Sequence, residues 1–151
     1  AYRRQRQMCI RDRIRSEALF NAKFYYNDSD YRKASSEFKR IQKVIPDDFN
    51  VMLMTGVADI MSKNASQGER LVVIAMDSIR AQDARGVWEK DEVTYDIMIK
   101  GIVGYTNYLS EVKRLEEAQE TLTFSRKLVP DDATLKSQYK KIYAIGPEDE
   151  E

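Results

Sequence analysis

Between Ile14 and Asp48 the sequence carries two apolar stripes at helical spacing, separated by a short polar break. Leu19, Phe20, Ala22, Tyr25 and Tyr26 mark the first, and Tyr31, Ala34, Phe38, Ile41 and Ile45 the second. Asn27 to Asp30 reads as a turn, because Asn, Asp and Ser bond their own backbone. Pro46 disfavours helix at the residue before it and ends the second stripe. Two short helices joined in this way leave apolar surface that neither can bury alone, so they need a neighbouring pair to stack on.

The rest of the chain supplies candidates for that neighbour. The spacing predicts helices over residues 15–27, 31–44, 49–63, 67–82, from Val93 onward, 115–128 and 133–144. With only 6 Gly and 3 Pro, and no long alternating β-branched run, the expected class is all-α. Met52, Leu53, Gly56, Val57, Ile60 and Met61 face one way in the third helix. The fourth crowds Leu71, Val72, Val73, Ile74, Ala75 and Met76 together, a pattern expected at the centre of a stack. DARGVWEKDE, residues 83–92, reads as a linker, with its lone Trp88 expected to pack in the core. VPDD at 129–132 repeats the register of IPDD at 45–48. Asp47–Asp48 and Asp131–Asp132 thus follow a proline and precede a helix, where capping accounts for them without chemistry.

Positions counted from Arg15 give small Ala22 at eight, Tyr25 at eleven, Ala34 at twenty, Phe38 at twenty-four and Pro46 at thirty-two. This pattern resembles the tetratricopeptide repeat, a 34-residue helix–turn–helix unit, and departs from it at position four, where Ala18 replaces a bulky aromatic. The resemblance is closest over residues 15–48, weaker over 97–132, and weakest between. It implies a right-handed superhelical stack of about three antiparallel helix pairs over residues 14–146, closed by a C-terminal capping helix and followed by the acidic tail 147–151. The prolines lie 16 residues further apart than two 34-residue periods, an excess expected in the turn SKNASQGE, the linker and the Ser110–Arg114 loop.

In such repeats the first helix of each pair lines a concave groove that receives a segment of another protein. The resemblance therefore places Leu19, Lys23, Tyr26 and Asn27 in the groove, with Val57, Ile60 and Met61 beside them. Aligned on Gly104, Tyr105 and Tyr108 face it too. Family members that clamp a peptide carboxylate use Lys and Asn at positions five and nine, where Leu19 and Lys23 stand here, so that specificity is not implied. The expected work is non-enzymatic protein binding by a scaffold or adaptor. The rival is a structural subunit, or a piece of a longer array, that self-associates.

Composition limits the other classes. The chain has no His and one Cys, Cys9, so no Ser–His or Cys–His pair, disulfide or thiolate metal site is expected, and no cofactor is implied. No Gly-rich phosphate loop occurs. Lys+Arg and Asp+Glu both total 25, but residues 1–15 hold six Arg against one Asp, leaving the remainder at −5. An acidic body argues against nucleic acid as a partner. Residues 1–13 have no amphipathic period and read as a disordered basic arm or a non-native stretch, since RQRQMCIRDR resembles a translated sequencing adapter. No run of 18 apolar residues offers a membrane span, and no charged-then-apolar leader opens the residues given. Compartment stays open: cytoplasm, or the periplasm and envelope if a leader precedes them.

Overall fold

The computed structural model describes the backbone of residues 2–144 and the side chains of residues 10–144. The expectations for the tail 147–151 lie outside these residues. Seven α-helices and no strand occur among them: α1 (Tyr2–Asn27), α2 (Tyr31–Val44), α3 (Phe49–Met61), α4 (Ala65–Ala84), α5 (Tyr95–Glu111), α6 (Leu115–Leu128) and α7 (Ala133–Tyr143). The chain is all-α. It divides into two compact units, residues 1–89 and 90–151. The boundary falls inside the stretch read as a linker.

Helix α1 starts at Tyr2, well ahead of the expected residue 15. Residues 2–13 hold neither Pro nor Gly and are rich in Arg and Gln, which favour helix without needing an apolar stripe. The basic arm is therefore a helical extension of α1 in this structure.

Three helix pairs close through the same turn. Ser29, Lys63 and Lys113 each adopt a positive φ of 62°, 71° and 66°. Around them the amides of Asp30, Asn64 and Arg114 donate to the carbonyls of Tyr25, Asp59 and Leu109 at 2.8–2.9 Å. Ser29, Lys63 and Lys113 donate in turn to Tyr26, Ile60 and Ser110, completing three Schellman caps. Gly86 closes α4 in the same manner, with φ 70° and Val87 donating to Gln82.

These turns are three residues long, so neither SKNASQGE nor the Ser110–Arg114 loop holds the extra sixteen residues. From α2 to α3 the unit is regular, and Ser29 and Lys63 are 34 apart. The excess lies in α4, 20 residues against 14 in α2 and α6; in the connection 85–94, ten residues against four at 45–48; and in α5, 17 residues against 13 in α3.

In the first unit α3 is the central element, packed between α2 and α4. From Asn50 to Ile60 every residue but Met52 is buried. Its buried Thr55 hydroxyl satisfies itself on the Val51 carbonyl at 2.8 Å. Helix α4, expected to be central, buries only Gly68, Val72, Ala75, Met76 and Ile79. A consecutive apolar run covers every side of a helix, so Val73 and Ile74 project outward and are about half exposed. The α3–α4 crossing is set by glycine: a Cβ on Gly56 would lie 2.6 Å from the Gly68 carbonyl oxygen, and one on Gly68 2.5 Å from that of Gly56. Trp88 sits half-exposed in the connection rather than in the core, because the chain there has left α4 and follows no packed element.

In the second unit α5 and α6 form a pair against which α7 packs. Ile97, Met98, Ile102, Leu109, Leu122, Leu135 and Ile142 form its core. Gly101 is buried, while Gly104, expected at the closest approach, is half-exposed.

Candidate partner-binding surface

The IPDD and VPDD turns give their second aspartates the same role, each as the N-cap of the helix that follows. Ile45 (φ −134°, ψ 77°) and Val129 (φ −135°, ψ 75°) end the preceding helices with the same geometry. Asp48 then accepts from the Val51 amide at 3.4 Å and Asp132 from the Leu135 amide at 2.9 Å. The second oxygen of each is also engaged, by Arg15 Nε at 2.9 Å in one unit and by the Tyr95 hydroxyl at 2.6 Å in the other. Burial first, then the bond to Asp132, pushes the Tyr95 hydroxyl up to about 12. Each carboxylate thus ties the start of its own helix to the helix two before it, at Arg15 in the middle of α1 and at Tyr95 in the first turn of α5. Asp47 and Asp131 point to solvent.

The first-helix surface expected to receive a partner divides sharply by burial. On α1, Leu19 is buried, Lys23 and Tyr26 are half-buried, and Asn27 is exposed. Tyr26 packs edge-on against Tyr31, centroids 5.3 Å apart, and burial, then the charge of Tyr31, pushes its hydroxyl up to about 12. On α3, Val57 and Ile60 are 1% and 7% exposed and belong to the core, leaving only Met61 accessible. Leu19, Val57 and Ile60 therefore support the surface from beneath.

In the second unit Tyr105 is buried and Tyr108 half-buried. The reason is register. The shared turn aligns Lys113 with Lys63 and Ser29, which puts Thr106, not Gly104, at the small crossing position held by Gly56 and Ala22. Tyr105 and Tyr108 then correspond to Thr55 and Ala58, on the packed side of α3, and to Asn21 and Phe24 of α1. Asn107 takes the place of Lys23. Its side-chain oxygen accepts from Gln138 Nε2 at 2.8 Å and from Lys141 Nζ at 3.3 Å, both on α7. Gln138 also donates to the buried Thr106 hydroxyl at 3.0 Å.

Two features escaped the pattern, one exposed and one buried. Phe20 and Phe24 on α1 are 74% and 63% exposed. The signal lay in FNAKF: apolar residues either side of Ala22 project from the face opposite it. The other is the buried Asp59, which accepts from Ser35 and pairs with Lys39 at 3.5 Å, its second oxygen having no partner. It stands where the first pair has Tyr25 and was hidden in an apolar helix.

Among the described residues no three His, Cys, Asp or Glu side chains gather as a metal site would require. No described helix is long and apolar enough to cross a membrane. Neither a protein-family model, nor a curated protein, nor a solved structure matches the chain.

Proposed function

We propose that the chain is a tetratricopeptide-like scaffold that binds a segment of another protein without catalysing a reaction. The reading of its helix pairs as superhelical repeats is supported by the 34-residue interval between the first two left-handed turns, by the same turn in the third pair, and by the close glycine crossing of α3 and α4. The observation that carries the binding reading is the α1 strip of Lys23, Tyr26 and Asn27, three and four residues apart on one helix face. Its tyrosine is held edge-on against Tyr31 and half-accessible. A tyrosine already immobilised loses little entropy on contact and makes an efficient anchor. Of the carboxylate pairs that would otherwise invite a catalytic reading, Asp48 and Asp132 are engaged as helix caps bonded to Arg15 and Tyr95, and Asp47 and Asp131 face solvent as separate surface groups.

The test is capture of partners from source lysate by the full chain and by a Lys23→Ala/Tyr26→Ala variant whose circular dichroism is unchanged. Loss of a specific protein, and at least tenfold weaker binding of that protein once purified, is the expected result. Identical capture by both chains refutes this surface.

A further inference from the structure

A second surface, on the other side of α1, follows from comparing three equivalent helices. The shared IPDD and VPDD turns align α3 with α7, and the shared left-handed turns align α1 with α3. Three positions then correspond: Glu17, Phe20 and Phe24 of α1; Val51, Met54 and Ala58 of α3; Leu135, Gln138 and Ile142 of α7.

In α3 and α7 all six side chains are buried, none more than 6% exposed. The preceding helix pair packs on each of these helices, through α2 on α3 and through α5 and α6 on α7. In α7, Gln138 bonds Thr106 and Asn107 of α5. In α3, Met54 and Ala58 flank Gly56, which faces α4, so at 100° per residue they project some 160° away from α4 toward the preceding pair. The second helix of that pair completes the cover at equivalent points. Lys39 of α2 reaches Asp59 of α3, and Thr123 of α6 meets the Tyr143 hydroxyl of α7 at 3.0 Å. In α1 the same three positions are all exposed, and two of them are phenylalanine.

We propose that the Phe20–Phe24 face of α1 is a docking surface for a helix hairpin of this same 34-residue kind, borne by a partner protein and seated as α1–α2 seats on α3. The chemistry of the occupant is set by the two interfaces the chain already contains. Its first helix offers small or short polar residues at its middle, as α5 offers Thr106 and Asn107. Its second helix brings a hydroxyl or an amine to the level of Tyr25, as α6 brings Thr123 and α2 brings Lys39. Phenylalanine where α3 has Met54 and Ala58 enlarges the apolar contact, which suits an interface formed between chains.

The probe is a tethered hairpin, which removes affinity as a variable. A copy of residues 15–48 replaces residues 1–14, so that its IPDD runs directly into Arg15 in register. The pair Phe20→Glu/Phe24→Glu is then introduced at the native α1 positions of the grafted chain and, separately, into the full 151-residue chain. In the full chain the substitution shifts the melting temperature by no more than about 2 °C, because both rings are exposed. In the grafted chain it lowers it by about 10 °C, since two phenyl rings lose their burial. Amides of α1 also exchange more slowly after grafting. Equal small shifts in both chains, or a grafted hairpin that melts as a separate transition, overturn the proposal. So does sedimentation showing the full chain to be a dimer dissolved by the Glu substitutions, which would give the face to a second copy.

Discussion

Gly56→Ala tests whether the α3–α4 crossing sets the stability of the first unit. The new methyl would sit 2.6 Å from the Gly68 carbonyl oxygen, 2.6 Å from Val72 Cγ2 and 2.9 Å from Val72 N, where ordinary contact begins at 3.4 Å. Two of those atoms are backbone, so relief requires the helices to part by about 0.8 Å rather than a side chain to turn. Overpacking of this kind costs about 1–3 kcal/mol, and rigid neighbours place it at the upper end. Parting by that distance forfeits roughly a quarter to a half of each contact along the seam, worth about 1 kcal/mol more over Val72 and Ile60. Alanine's better helix propensity returns about 1 kcal/mol. The expected net loss is about 3 kcal/mol. Urea titration followed by circular dichroism at 222 nm reads it as a fall of about 1–2 M in the midpoint of the first unit's transition. Gly68→Ala meets the Gly56 carbonyl and Ile60 in the same way, and one parting of the helices serves both methyls. The double variant therefore costs less than the two singles together, by about 1 kcal/mol or more. If Gly56→Ala raised stability by the 1 kcal/mol or so that propensity alone predicts, the crossing would be looser than described and the reasoning would fail.

Two other outcomes follow from the turns and caps. Lys113→Gly and Lys63→Gly relieve a left-handed backbone that L side chains adopt at a cost, and each stabilises by about 0.5–1 kcal/mol in the same titration. Tyr26 and Tyr95 are both raised from 10 to about 12, so their contribution is complete below pH 10 and is lost as pH climbs through 12. Absorbance at 295 nm would show Tyr26 and Tyr95 among the last of the nine tyrosines to ionise, and Tyr95→Phe would shrink that late phase; a single titration near pH 10 would refute the assignment.

Local chemistry made the helices legible in the sequence. Pro46 and Pro130, each followed by two aspartates, marked helix ends whose closing residues, Ile45 and Val129, agree in backbone angles to within 2°, and N-caps at Asp48 and Asp132. The fine register of α5 was not legible, because Gly104 competed with Thr106 for the crossing position and a buried threonine that bonds the Ile102 carbonyl serves there as well as glycine. That two-residue error moved Tyr105 and Tyr108 onto the imagined groove. The role of α4 was misjudged for a different reason: six consecutive apolar residues carry no phase, so the sequence cannot say which of them meets α3. On the candidate surface, Leu19, Val57 and Ile60 have the composition of a groove but sit beneath it, a distinction that depends on tertiary cover rather than on residue type.

The short turns also govern how the chain finds its structure. The side-chain bonds that fasten one helix pair to the next span only 33 and 37 residues, and the pairs themselves close through three. Every native contact therefore asks for a small loop-closure entropy, and the search proceeds between sequence neighbours. Folding is expected on the microsecond-to-millisecond scale of low-contact-order helical proteins. A pair such as α3–α4 can dock on α1–α2 as soon as it leaves the ribosome, before α5 has been synthesised.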